Sequence, residues 1–323
     1  MNTFTSPSLG RARITARIIA RGSALGRYEI VGALCAGGMA DVWLGRSTGH
    51  GGSARLLAIK TERSSLAVDQ RRRALFLREG ARAAEIRHAN VVDVLDVGEA
   101  GGVLFQVMSL VEGDSLAGLL QVAPLSLGVT LGIGIDALRG LHAAHELAIV
   151  HRDVSPRNIL VGLDGLARIS GFGMANVLDD DHDGDDRRTD VFAMGVVLWE
   201  ALTGARLLEG CDPVEAPELP AAIAMVVMRA LEREPAARHA SAEAMAEALV
   251  SAAHEAGVVV DRRHVARTVN AVAGDRVRTM IREVNADAEG VSKAPVGRPG
   301  RRSLLALPLV ALAAAALVAL AVR

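Results

Sequence analysis

The sequence predicts an α+β chain in two unequal parts, a β-rich N-terminal portion and a helical remainder, followed by a long apolar segment. Three observations predict it. Between Arg27 and Glu112, short apolar and β-branched runs end at glycine turns, as strands do. From Pro124 onward, apolar residues recur at helical spacing over 124–148, 221–250 and 257–284. Set among these helices is HRDVSPRNIL, His151–Leu160, a polar loop after Ile149-Val150 that gathers one carboxylate, one amide and two arginines.

At 323 residues the chain can hold one unit of two lobes plus extensions. Half of it is hydrophobic but only 2% is aromatic, so the core must be built from Ala, Leu and Val. A net charge of −1 gives no reason to expect nucleic acid as a partner. Cys35 and Cys211 match no metal or redox spacing, and a reduced, cytosolic environment is the default for the main domain.

Residues 1–26 form a basic leader. Arg11, Arg13, Arg17, Arg21 and Arg27 precede any acid, and the short Ile18-Ile19-Ala20 run is no signal peptide. A disordered leader is the favoured reading and a membrane-surface helix the other. Arg27–Trp43 reads as strand, glycine turn, strand, with Gly37 and Gly38 in the turn. Leu56–Lys60 is an apolar strand ending in lysine, and a helical stretch then carries Glu79. Two further strands fill Val91–Glu112, joined at Gly101-Gly102. The helix over 124–148 carries His142 and His145 at i, i+3. Without a third ligand, that spacing reads as packing against the polar loop rather than as a metal site.

Six of the eight residues from Asp179 to Asp186 are aspartate, which reads as a solvated, mobile loop; loose cation binding is the other reading. Beyond a brief acidic connection come two helices, a helical extension (255–287) and a basic linker (288–303) with Lys293, Arg298, Arg301 and Arg302. Leu304–Val322 is nineteen residues without a charge or an amide. At ~1.5 Å per residue it spans ~28 Å, enough for a hydrocarbon core of roughly 30 Å. The arginines before it favour a tail anchor in the inner membrane with the main domain in the cytoplasm; a buried globular helix is the alternative.

His151, Arg152, Asp153 and Asn158 stand at the spacing of the protein-kinase catalytic loop H-R-D-L-x-x-x-N, with Val154 in place of Leu. From about Arg27 to about Leu249 the chain resembles the bacterial serine/threonine protein kinases, notably the HRDVSPxN type of myxobacterial kinases. The resemblance implies a bilobal protein-kinase fold spanning 27–254, with a β-rich N-lobe to about residue 110 and a helical C-lobe after it. It implies Asp153 as the base and Asn158 as a metal ligand. Lys60 would hold the nucleotide phosphates and pair with Glu79. Leu34, Gly37, Gly38, Val42, Ala58, Met108 (the gatekeeper), Leu110 and Leu160 would surround the nucleotide. Asp190 would brace the catalytic loop.

The same resemblance marks departures. Cys35 and Ala40 stand where the phosphate-covering loop has its first and third glycines. Gly171-Phe172-Gly173 replaces D-F-G, so the metal-gripping carboxylate is gone. No A-P-E closes the sixteen residues between Gly173 and Asp190, which leaves Arg238 without its family glutamate. Ser155 replaces a lysine, with Arg157 nearby. These departures make the chain a degenerate family member: a membrane-tethered pseudokinase that binds ATP, with the missing carboxylate setting magnesium in doubt, and that signals through a protein partner such as another kinase. One alternative is a weakly active serine/threonine kinase that recruits magnesium through Asn158 and the acidic loop. Another is a nucleotide sensor.

Overall fold

Alternation along Leu56–Glu62 explains the first layer of the computed structural model, which describes residues 19–35, 40–47, 55–62, 70–173, 187–207 and 219–292. Leu57, Ile59 and Thr61 point to one side of this strand, and Ala58, Lys60 and Glu62 to the other. On the first side Leu57 and Ile59 meet Leu25, Tyr28, Ile30, Phe105 and Val107 in a core of their own. The strand is β4 of a sheet in which β1 (Ala24–Leu25), β2 (Tyr28–Cys35), β3 (Ala40–Ser47), β4 (Leu56–Glu62), β5 (Val94–Ala100) and β6 (Val103–Ser109) run in the order β1-β2-β3-β4-β6-β5. Every pairing is antiparallel. The β5–β6 hairpin closes through Gly101 and Gly102, both at positive φ (58° and 79°), the conformation a tight hairpin turn requires.

Helix α1 (Gln70–Ala83) packs on this sheet, close enough at Gly80 that an added Cβ would sit 2.8 Å from a Val97 methyl. A small second sheet, β7 (Gly113–Ser115), β8 (Ile159–Gly162) and β9 (Ala167–Ile169), lies at the start of the helical lobe. That lobe contains α2 (Leu116–Val122), α3 (Leu127–His145), α4 (Arg188–Thr203), α5 (Ala221–Ala230) and α6 (Ala242–Glu255), followed by α7 (Arg262–Ser292). Its centre is α3, where Leu131, Ala137, Leu138, Leu141 and Ala144 are fully buried. Ala230, Ala242, Ala246 and Ala273 join them, so the core is aliphatic and alanine-rich as the composition requires. Gly140 lets α3 approach the loop before β5: a Cβ there would stand 2.3 Å from the Asn90 carbonyl. Ser241 caps α6 by accepting from the Ala244 N–H at 3.0 Å.

Two boundaries differ from the sequence expectation. The sheet begins inside the expected leader, because Leu25 is buried and Ala24–Leu25 pairs with Tyr28–Glu29. Helix α7 continues to Ser292, past the expected start of the linker at 288. Buried Val265, Val269, Ala273 and Val277 recur on one face of α7, and Asn270 donates to the Leu163 carbonyl at 2.9 Å. The chain divides into two units, Met1–Ile281 and Arg282–Arg323; the described part of the second, residues 282–292, is helical. Gly37, Gly38, the acidic run 179–186, Cys211 and the apolar segment 304–322 lie outside the described residues. Among those described, no helix is long and apolar enough to cross a membrane.

Candidate functional site

The catalytic loop is built outward from a buried carboxylate. Asp190, in the first turn of α4, is 0% exposed and accepts three hydrogen bonds of 2.8 Å, from His145 Nε2, the His151 N–H and the Arg152 N–H. Burial alone would raise this carboxyl. The His145 hydrogen bond and the two backbone donors, from His151 and Arg152, outweigh burial and hold it below the usual aspartate range. His145 therefore packs onto the brace of the catalytic loop. The backbone turns sharply here, with Arg152 at φ 64°, a left-handed conformation that the two N–H bonds to Asp190 lock in place.

His151 fixes the next layer. Its Nδ1 accepts from the Asp153 N–H (3.2 Å), so its Nε2 carries the proton and donates to the Ser170 carbonyl at 2.8 Å. Burial pushes the imidazole below its usual value, consistent with a neutral ring. The same ring meets Phe172 edge-on, with centroids 4.6 Å apart. Asp153 is exposed, and Asn158 Nδ2 donates to both its carbonyl (2.7 Å) and its Oδ2 (3.0 Å). The amide's other end, Oδ1, faces Gly171. A Cβ on Gly171 would lie 3.3 Å from it, so a carboxylate there would stand beside Asn158. Gly171 has φ 95°, and the position offers the chain no oxygen where the family has its metal ligand.

Across the cleft, strand register gathers the predicted nucleotide wall. Val42 pairs with Lys60, and Ala58 with Met108, which places all four on one face of the sheet. Met108 is buried; Leu34, Leu110 and Leu160 are half-buried, Leu160 on β8 of the helical lobe. Burial pushes the Lys60 ammonium below the usual lysine range, and the carboxylates of Glu62 and Asp153 oppose that fall.

The expected pairing of Lys60 with Glu79 is not made. Glu79 is 4% exposed and its carboxylate is engaged by the arginines of its own helix, Arg78 at 3.3 Å and Arg82 at 3.7 Å. Arg82 also donates to the Ala148 carbonyl at 2.9 Å. Helical spacing placed Glu79 on the correct helix but could not set how that helix is rotated against β4. Without the family glutamate, Arg238 donates to the carbonyls of Glu232, Arg188 and Arg233 and covers the Phe192 ring, 4.6 Å from its centroid.

Glu62 and Gln106 belong beside Lys60, and motif matching passes over both. Gln106 is the cross-strand partner of Lys60, and Glu62 follows Lys60 by two residues, so all three share a face. Glu62 is 8% and Gln106 1% exposed, and Oε1 of each meets no hydrogen-bonding partner. The signal was available: in LLAIKTE, a two-residue period carries the Lys60 face onto a second charge.

Comparisons with known proteins agree with this geometry. A sequence model described as protein tyrosine and serine/threonine kinase matches residues 28–189. Tyrosine-protein kinase MasK of Myxococcus xanthus is 32% identical over 274 residues, covering 69% of this chain and 42% of that protein. Serine/threonine-protein kinase PknB of Mycobacterium tuberculosis is 30% identical over 269 residues, with the same two coverages, 69% and 42%. The chain thus spans about two fifths of the length of the curated relatives it matches. Among solved structures, the PknI kinase domain of Mycobacterium tuberculosis is similar at a TM-score of 0.64 and 28% identity, covering 73% of this chain and 99% of that domain.

Proposed function

This chain belongs to the protein tyrosine and serine/threonine kinase family, and on that premise we propose that its cleft binds ATP while its signalling output comes chiefly from binding a protein partner, as a pseudokinase. The observation that carries this reading is Gly171 beside Asn158. In the family, two side chains, the D-F-G aspartate and the loop asparagine, hold the metal ions that neutralise charge during transfer. Here one of the two has no side chain. Among the described residues no group of three His, Cys, Asp or Glu side chains could hold a metal ion instead. Among the described residues, then, Asn158 is the one side chain left of the two that hold the family's magnesium pair, and no step is routed through that pair.

A nucleotide without that pair does fit. Ala58, Val42 and Met108 supply apolar surface on the same face as one ammonium suited to phosphate oxygens. Of 36 basic residues only two are lysines, Lys60 and Lys293, so a chain that almost always uses arginine carries lysine at this position. An ammonium is a compact charge that can meet a phosphate where a guanidinium fork would need more room.

Thermal-shift titration of the full chain with ATP, with magnesium and then with chelator, tests the reading. ATP should stabilise the protein to a similar extent in both. A large shift that vanishes with chelator would overturn it and direct attention to the acidic run 179–186.

A second reading, weak phosphoryl transfer to protein hydroxyls, is favoured by one observation: the Asp153–Asn158–His151–Phe172 arrangement is assembled. Transfer abolished by Asp153→Asn would support it. We further propose a membrane tether through 304–322, with the kinase-like part on the cytoplasmic side. The full chain sedimenting with membranes, and a chain lacking 293–323 staying soluble, is the outcome that reading requires.

A further inference from the structure

We propose that the carboxylate supporting Lys60 in this chain is Glu62 of its own strand, with Gln106 beside it, and that the phosphate-binding cation is thereby uncoupled from the position of α1. The inference rests on the nucleotide-binding reading for its purpose, though not for its test.

The geometry begins with the strand. Residues two apart in β4 stand on one face with their positions fixed by the sheet, and Lys60 and Glu62 are such a pair. Register holds them against β3, at Val42 and Ala40, and holds Lys60 against Gln106 on β6. Among the described residues the Lys60 ammonium makes no ion pair within 4 Å, while Glu62 Oε1 and Gln106 Oε1 are buried acceptors without a donor. An ammonium has three donors to offer. Buried polar groups are nearly always satisfied, so two orphaned acceptors on the face that carries the half-buried Lys60 ammonium form a set with it.

Electrostatics point the same way. Burial raises the Glu62 carboxyl above its usual range, and Lys60 is the charge that opposes the rise. Glu62 is in turn the leading charge that opposes the fall at Lys60, ahead of Asp153. The other titratable groups near this face are His151, whose own imidazole is lowered in part by Lys60, and Glu79, engaged by Arg78 and Arg82.

The consequence concerns regulation. In the family, the pairing of lysine with the helix glutamate ties phosphate binding to the position of that helix. A strand-borne partner cannot swing away. Movement of α1, whatever drives it, would then leave the Lys60 charge in place, and α1 becomes available as a surface for partners without loss of the nucleotide.

Lys60 and Lys293 are the only lysines, so ¹³C-methylation of the full chain in detergent gives side-chain NMR signals from those two positions, and an α-amine signal is told apart by its lower titration range, about 7.7–8.0. Titrating the Lys60 signal without nucleotide should show at least a ~tenfold loss of proton affinity in Glu62→Gln, about one pH unit. Glu62→Asp should recover most of it, and Glu79→Gln should change it less than ~threefold. Glu85→Gln, an exposed site on the loop after α1, controls for net charge. A Glu79→Gln loss that equals or exceeds the Glu62→Gln loss would overturn the proposal, as would no change in either. Because Glu62→Gln is isosteric, a folded variant is expected, and the Lys293 signal checks that the chain remains intact. Adding ATP afterwards tests the nucleotide reading separately. A Lys60 signal that does not respond to ATP defeats that reading while leaving the titration result standing.

Discussion

The two sides of the cleft are finished differently. On the side of the helical lobe, the polar groups around the loop complete one another except at His145 Nδ1: Asp190 accepts three hydrogen bonds, both ring nitrogens of His151 are used, and Asn158 is bonded to Asp153. On the side of the sheet, Lys60, Glu62 and Gln106 are buried or half-buried, with open donors and acceptors. The catalytic loop therefore holds its shape by internal bonding and α4, whether or not it performs chemistry. The sheet side is where a ligand has something to complete. Retention of Asp153 is thus weaker support for catalysis than its motif suggests, since its backbone and side chain both help to hold the loop.

The largest expected effect breaks the closed side. Asp190→Ala leaves two buried backbone N–H groups and His145 without their acceptor. Removing one partner from a buried charged network costs about 3–5 kcal/mol, so urea unfolding should show a loss of that size, if the variant folds at all. The wild type also carries a pH signature. A carboxyl held low in the folded state adds stability above the unfolded aspartate value of about 3.9, and that stability is lost as pH falls through the folded value. Between about pH 5 and the acid limit the wild type should therefore weaken more steeply than Asp190→Asn. Parallel acid profiles would mean the network does not hold the loop.

The same contrast separates what the sequence could reveal from what it could not. The catalytic loop was legible because the family resemblance supplied its spacing and its bracing Asp190, and the i, i+3 spacing of His142 and His145 set His145 against it. The gatekeeper hairpin was legible from Gly101-Gly102. Hidden were relations set by how one element is rotated or docked on another. Glu79 lies on the predicted helix yet turns to Arg78 and Arg82. Arg238 donates to three carbonyls and covers Phe192, contacts that no motif encodes. Ala24–Leu25 extends the sheet through two residues, too few for any periodic pattern.

A middle-sized effect comes from adding a metal ligand to the closed side, next to Asn158. Gly171→Asp introduces a side chain at φ 95°, which costs about 1–2 kcal/mol of stability in a left-handed conformation. It also sets a carboxylate beside Asn158 Oδ1, given the 3.3 Å approach of the added Cβ. ATP affinity should become magnesium-dependent and rise by ~1.4 kcal/mol or more, about tenfold. Phosphorylation of added peptides should stay near background. Positioning of reactants contributes up to ~7–11 kcal/mol of a barrier, and no A-P-E segment exists to hold a peptide against Asp153. Robust peptide phosphorylation, abolished by adding Asp153→Asn, would move the weak-kinase reading ahead.

The smallest expected effect is the sharpest test of the open side. Arg82 and Arg78 restrain Glu79 at 3.7 and 3.3 Å, with their own side chains 42% and 70% exposed. Glu79 is buried, but its arginine partners are solvated and Arg78 still engages it in the variant, which keeps the loss small; Arg82→Ala should therefore lower stability by about 1 kcal/mol, counting its bond to the Ala148 carbonyl. If Glu79 were the natural partner of Lys60, held off only by these arginines, freeing it should raise the proton affinity of Lys60. We expect no such rise beyond ~threefold, about half a pH unit. The reason lies in the backbone. Gly173 fits so closely against α1 that an added Cβ would come within 2.9 Å of the Glu79 carbonyl, and the Phe172 ring before it is pinned on His151. Bringing Glu79 to Lys60 by shifting α1 therefore disturbs its close contact with Gly173, whereas Glu62 is already fixed two residues away on β4. A Lys60 titration that climbs in Arg82→Ala to match what Glu62→Gln removes would show that α1 is free to move, and the two sides of the cleft would then differ only in which state was captured.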